Sequence, residues 1–341
     1  MEIFVANKRV LSGMRPSGKL HIGHFHGVLE KWLKLQKEHE CFFFVADWHA
    51  LTTEYNNPSA IQDNIREMVI DWLSVGIESE RPAPEGFNQG STIFLQSAIK
   101  EHAELHLLLS MITPLSWLER NPTYKEQVEE VKDKDLHTYG FLGYPVLQTA
   151  DIVIYKANMV PVGIDQAPHL ELSREITRRF NFLYGDTFPE PQTLLTETPK
   201  LLGTDGRKMS KSYNNAIFLS DPPNVIEKKI LPMMTDPARQ RRTDKGNPEV
   251  CPVYFLHKIY SSPETIKWVE EGCRTAGIGC IECKKSLIPS IVKKLEPFQK
   301  KRAELVKNPD IVNQVLNKGN EKAKNIAQKT MMEVRKALKI L

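Results

Sequence analysis

The chain has 341 residues, 41% apolar and 26% charged, an ordinary balance for a globular protein with room for two domains and a sizeable core. No segment reaches the length of a membrane span. Met1-Glu-Ile-Phe-Val opens with neither a basic stretch nor an apolar signal core, so a cytoplasmic protein with no membrane contact is expected. The net charge of +4 is unevenly spread: residues 284–341 carry +10 and the remainder −6.

Val5, Val10 and Leu11 predict a strand that runs into a Gly/Pro/Ser loop, residues 12–27, after which Val28, Leu29, Trp32, Leu33 and Leu35 recur at helical spacing. A strand, a tight loop and a helix start form a seat for phosphate, because backbone N–H groups at a helix N-terminus are free and carry partial positive charge. Gly23 admits a base or ribose close to the backbone, and His21 and His24 supply side-chain donors. The run Cys41 to Ala46 suits a strand buried on both faces, with Cys41 a core filler, and it ends at Asp47-Trp48-His49, where such sheets place their crevice. Asn57-Pro58 starts a helix striped by Ile61, Ile65, Val69, Trp72 and Val75, and Thr92 to Gln96 is the next strand. This β-α-β-α order predicts an α/β fold with a doubly wound parallel sheet.

An apolar helix is expected over 101–117, then a polar stretch over 121–138 in which Lys125 can reach a triphosphate. In Gly140 to Tyr155, Tyr144 and Asp151 lie two helical turns apart on one face. Asp151 sits among Leu147, Ala150, Ile152, Val153 and Ile154, where a carboxylate must find a partner. Val160 to Gly163 predicts a strand with Asp165 and Gln166 at its carboxyl end, before a helix through Leu170, Leu172, Ile176 and Phe180. Basic helices are expected over 287–305 and 320–341, and the pairs Lys284-Lys285 and Lys293-Lys294 with Lys300-Lys301-Arg302 suit a phosphate-tracking surface.

His21-Ile-Gly-His24 resembles the first signature of class I aminoacyl-tRNA synthetases, and Lys208-Met-Ser-Lys-Ser212, in a loop with Gly203 and Gly206, resembles the second. The run from Val160 to Asn181, with Tyr144 to Asp151, is similar to the bacterial tryptophanyl-tRNA synthetases. That resemblance implies a Rossmann-type catalytic domain over 1–212 with a dimer-forming insertion about 97–150. It also implies an all-helical anticodon-binding domain over 213–341, whose last helix can pack back on the first, in a homodimer. The implied reaction activates L-tryptophan with ATP and Mg²⁺ and transfers it to tRNA(Trp). Asp151 then accepts the indole N–H, while Tyr144, Gln148 and Gln166 hold the amino acid. The matching ATP set is Arg15, Ser17, Gly23, His24, Gly163, Asp165, Gln166, Lys125, Lys208, Met209, Ser210 and Lys211, with His21, His24, Lys208 and Lys211 catalytic. Many bacterial members carry Thr-Ile-Gly-Asn at His21 to His24, Gln at Arg15 and Met near Gln148, which places this chain in a distinct subgroup. Tyrosyl-tRNA synthetases share both motifs, a non-catalytic paralogue would bind without charging tRNA, and a small-molecule nucleotidyl transferase would lack the basic tail.

Cys251, Cys273, Cys280 and Cys283, with twenty-one, six and two residues between them, can surround tetrahedral Zn²⁺ or an iron–sulfur cluster. The pattern resembles a subgroup of tryptophanyl-tRNA synthetases with a [4Fe–4S] cluster in the helical domain.

Overall fold

The computed structural model describes residues 8–79, 90–130, 135–195, 201–308 and 310–340; Val5 and residues 131–134 of the polar stretch lie outside them. The chain forms two compact units from separate segments: Met1–Gly18, Lys31–Glu197 and Asn308–Leu341 make the first, Lys19–Glu30 and Thr198–Lys307 the second.

In the first unit β1 (Arg9–Met14), β2 (Glu40–Val45), β3 (Thr92–Leu95), β4 (Met159–Val162) and β5 (Gln192–Leu195) form a parallel sheet in the order β3-β2-β1-β4-β5. The order reverses between β1 and β4, the switch point of a doubly wound sheet. Successive side chains of a strand point to opposite faces, and β2 is apolar on both. Phe42 and Phe44 join Leu11, Phe94, Val146, Ile152, Leu170 and Ile176 in one buried cluster with the helices Glu101–Ser110, Tyr144–Val153 and Ala167–Tyr184. Phe43, facing the other way, stacks on Trp32 at 4.1 Å, and Trp72 of the helix Ile61–Val75 meets Trp32 edge-on at 5.0 Å. Cys41 is fully buried in β2, and burial pushes its thiol up to about 12, which suits an inert filler.

Two segments differ from expectation, and a fifth strand adds to the sheet. The helix predicted over 101–117 ends at Ser110 and restarts as Leu115–Glu119. Pro114 sits between them in an extended conformation, ψ 133°, and its ring disfavours the helical region for Thr113. The polar stretch contains the helix Pro122–Glu130, opened by a proline at its first position. Strand β5 is short, follows two prolines and pairs only with β4 at the sheet edge, where prolines are tolerated.

The helix Asp310–Ala337 covers the opposite edge. Asn320 Oδ1 accepts from the backbone N–H of Leu95 at 2.8 Å, and Gly319 lies so close that a Cβ there would stand 1.8 Å from the Ile93 carbonyl oxygen. Covering an edge strand in this way removes its unpaired N–H groups from solvent.

The second unit holds the helices Pro223–Ile230, Pro252–Tyr260, Pro263–Arg274 and Cys280–Lys307. Leu287, Ile291, Leu295 and Phe298 recur at helical spacing and are all buried. Lys284 falls on that same stripe and is only 5% exposed, with its ammonium donating to the Leu231 carbonyl at 2.8 Å. It is therefore not part of a phosphate-tracking surface; Lys285, Lys293, Lys294, Lys300 and Lys301 are the exposed members.

Gly319→Ala is expected to destabilise the protein by roughly 1–3 kcal/mol, read as a lower urea midpoint, because the added methyl collides with strand backbone. Gly140→Ala, where a Cβ meets nothing within 4 Å, serves as the control. Equal midpoints for the two variants would contradict this packing.

Candidate active site

Both signature motifs belong to the second unit. The backbone N–H of Ile22 donates to the Ile217 carbonyl at 3.0 Å and that of Leu219 to the Leu20 carbonyl at 2.9 Å, so the His21–His24 turn is sewn to the segment that follows Lys208–Ser212. The His21 and His24 rings lie 3.7 Å apart, and a Cβ at Gly23 would come within 2.9 Å of the His21 ring. A π-helical stretch, Phe25–Leu29, follows the turn, an irregularity frequent at functional sites. Within it His26 lies 2.8 Å from the Tyr260 hydroxyl and 3.0 Å from Glu30.

Burial lowers His21 to about 4, helped by the charges of Lys211 and Lys208, and burial with the neighbouring His21 ring and both lysines holds His24 well below the ordinary histidine range. The positive charge of this cluster is therefore carried by the lysines, and the imidazoles act as neutral hydrogen-bonding groups. Such a division suits a polyanion: the lysines attract it, and the rings orient it without adding charge repulsion among themselves. Lys208 is exposed and Lys211 half-buried, while Met209 is turned inward at 5% exposure. Asn215, not foreseen as a site residue, organises the loop. Its Oδ1 accepts from the Ser210 backbone N–H at 2.7 Å, and its amide donates to Asp205 at 2.7 Å and to the Lys208 carbonyl at 3.1 Å.

The second set of predicted residues lies in the first unit, at the carboxyl ends of the strands. Tyr144, Gln148 and Asp151 share the helix Tyr144–Val153. Asp151 is fully buried, and its carboxylate is met from three sides. Gln96 Nε2 donates to Oδ1 at 2.9 Å and to Oδ2 at 3.0 Å, His102 Nδ1 lies 2.5 Å from Oδ1, and His49 Nε2 lies 2.7 Å from Oδ2. Burial drives a carboxyl up, but here the charge and hydrogen bond of His49 and the hydrogen bond from His102 outweigh it and leave Asp151 down at about 2. Gln96 is oriented in turn by the backbone N–H groups of Trp48 and His49, which donate to its Oε1 at 3.1 and 3.4 Å. Behind His102 the Tyr155 hydroxyl stands 2.6 Å from Nε2. The Tyr144 hydroxyl lies 2.7 Å from Nε2 of the buried His169, and His49 meets the Tyr144 ring edge-on at 5.8 Å.

Arg15 and Ser17 are exposed in the loop after β1, and Gly163, Asp165 and Gln166 occupy the end of β4 and the turn Ile164–Gln166 that follows. Gln148 is half-buried, and Lys125 is exposed on the helix Pro122–Glu130. His49 and Gln96 carry a sequence signal in their place at strand ends, whereas His102 and His169 look like ordinary helix residues.

The four predicted cysteines converge on one cavity in the second unit, with Asp236, Arg239 and Ile278 also on its wall. Cys251 is the N-cap residue of the helix Pro252–Tyr260, its backbone carbonyl accepting from the Tyr254 N–H at 3.0 Å, and burial pushes its thiol up; Arg239 points Nη1 at the Cys273 sulfur from 3.9 Å. His257 Nε2 lies 3.4 Å from the Cys283 sulfur. Among the described residues no three His, Cys, Asp or Glu side chains are arranged to hold a single ion.

A doubly wound parallel sheet together with a His-Ile-Gly-His turn and a Lys-Met-Ser-Lys-Ser loop defines a class I aminoacyl-tRNA synthetase, an ATP-using ligase. The family model for tRNA synthetases class I (W and Y) matches residues 6–296, and the chain belongs to that family. It is 55% identical over 335 residues to a tryptophan–tRNA ligase of Thermotoga maritima, covering 98% of this chain and 99% of the relative. It is 46% identical to that of Aquifex aeolicus, with 97% and 100% covered. The structure of tryptophanyl-tRNA synthetase from Campylobacter jejuni complexed with ADP and tryptophan superposes with a TM-score of 0.85 at 31% identity, covering 97% of this chain and 99% of that one.

His21 is expected to titrate near 4 in histidine-selective NMR of the ligand-free protein. Because its folded value lies below the unfolded 6.5, the stability it lends is full above pH 6.5 and falls as pH drops from there toward 4. A midpoint near 6.5 would contradict the buried, lysine-flanked placement.

Proposed function

We propose that the chain is a tryptophan–tRNA ligase that activates L-tryptophan with ATP to tryptophanyl-adenylate and passes the acyl group to tRNA(Trp). The observation that carries this reading is Asp151, a buried carboxylate kept ionised by hydrogen-bond donors. The indole ring offers a single polar group, an N–H donor, so an ionised acceptor suits it, and a phenylalanine ring would leave the carboxylate unpaired. The names of the relatives agree with this choice over tyrosine.

The substrate carboxylate attacks the α-phosphorus of ATP, the bond to pyrophosphate breaks, and a terminal ribose hydroxyl of tRNA then attacks the acyl carbon as AMP leaves. No protein nucleophile is required; the rate comes from positioning and from stabilising charge on phosphate oxygens. Lys208 and Lys211 supply that charge with Mg²⁺, and His21 and His24 orient the phosphates as neutral rings. Arg15, Ser17, Gly23, Gly163, Asp165, Gln166, Met209, Ser210 and Lys125 complete the ATP contacts, and Tyr144, Gln148 and Gln166 hold the amino acid.

The four cysteines are assigned a [4Fe–4S] cluster, with Zn²⁺ as the alternative. Four thiols meet on one cavity with a guanidinium beside Cys273, the donor set of a four-sulfur centre; burial pushes Cys251, Cys273 and Cys283 up, so binding of the metal would have to draw off their protons. Such a centre would tie Cys251 to the helix beginning at Cys280 and brace the helical segment of 213–341, assigned to the anticodon. Its exposed lysines suit an RNA backbone. Leu107, Met111 and Leu115, 55%, 69% and 58% exposed within the 97–150 segment, support a homodimer there. No helix among the described residues is long and apolar enough to cross a membrane, and the cytoplasm is the proposed compartment.

Exchange of labelled pyrophosphate into ATP is expected with tryptophan and not with tyrosine. Lys211→Ala should slow that exchange by about 100-fold or more, with tryptophan affinity changed far less. Exchange with tyrosine alone, or equal losses in rate and affinity, would overturn the assignment. Anaerobically purified protein should contain iron at about four atoms per chain; one zinc and no iron would select the alternative.

A further inference from the structure

Asp151 Oδ1 is closed off: it accepts from Gln96 and His102, and both are fully buried. Oδ2 shares the Gln96 amide at 3.0 Å and otherwise faces His49, the least buried of the donors at 8% exposure, on the side of the Tyr144 ring. An incoming ring N–H therefore has Oδ2 as its acceptor, while Oδ1 serves to fix the carboxylate. For His102 to donate from Nδ1, its other nitrogen must be satisfied as an acceptor, and the Tyr155 hydroxyl at 2.6 Å does this. Tyr155 is held protonated by burial beside Asp151 and Glu101, so it stays a donor. Without that hydroxyl a neutral His102 is free to carry its proton on Nε2, and an Nδ1 lone pair would then face the carboxylate at 2.5 Å.

We infer that the buried Tyr155–His102 pair is a positioning device for Asp151 that sets selectivity for substrates carrying a ring N–H. It rests on the reading of Asp151 as the indole acceptor. Neither residue touches the substrate in this scheme; both act through the carboxylate. Tyr155 also stacks on Phe42 at 5.4 Å, so its ring is anchored in the core and Tyr155→Phe preserves that packing.

The test compares tryptophan with 3-(benzothiophen-3-yl)alanine, in which sulfur replaces the indole N–H, by pyrophosphate exchange with the full-length protein. Tyr155→Phe should lower the preference for tryptophan by about tenfold, the size of one hydrogen bond to a charged group. Most of that loss should appear in KM for tryptophan, and kcat/KM for the sulfur analogue should change by less than about twofold. His102→Asn, which keeps a donor toward Asp151, should retain more of the preference than His102→Leu. Asp151→Asn should abolish the preference, and adding Tyr155→Phe to it should change nothing further. Equal losses for both substrates in Tyr155→Phe and in His102→Leu would reduce the pair to a structural role and overturn the inference. An intact preference in Asp151→Asn would instead overturn the reading on which it rests.

Discussion

A carboxylate in an apolar interior must be neutralised or surrounded by donors, and the first unit is arranged around the second solution. Asp151 stands on a helix whose other buried residues include Val146, Ala150, Ile152 and Val153, and the donors that meet it, His49, Gln96 and His102, come from other elements. The donors come from the end of β3, the helix after β2 and the helix Glu101–Ser110. Gln96 follows directly on β3 and His49 lies in the helix directly after β2, so the sheet fixes where both donors stand.

The second unit solves the opposite problem, gathering positive charge without burying it. Lys208 is exposed and Lys211 half-buried, while the histidines they flank are pushed to the neutral form. The loop that bears the lysines is short of regular structure, and Asn215 replaces it with three side-chain hydrogen bonds to Ser210, Asp205 and Lys208. A polyphosphate entering this cluster meets cations on flexible stems and rings of fixed orientation.

The local features were legible in the chain. An unbroken apolar run at Cys41 to Val45, short and rich in Phe, suits a strand covered on both faces, and the two signature motifs are contiguous residues whose chemistry is visible in order. What the residues did not reveal is who pairs with whom. The partners of Asp151 stand 102, 55 and 49 positions away, distances over which only topology decides contact. The helix break at Pro114 and the inward turn of Lys284 were accessible in principle. Thr113 precedes a proline, and Lys284 shares the helical phase of Leu287 and Ile291. A basic run read as a whole hides such phase. Strand β5, four residues after Pro189 and Pro191, carries too little pattern to be distinguished from a loop.

Tryptophan recognition by this site depends most on an ionised Asp151 accepting the indole N–H. Proton NMR of tryptophan labelled with ¹⁵N in the indole ring, bound to the protein, reads that bond directly. An indole proton moved downfield of its free position and protected from exchange with solvent is expected. A bound indole proton at the free shift and exchanging as in water would contradict it.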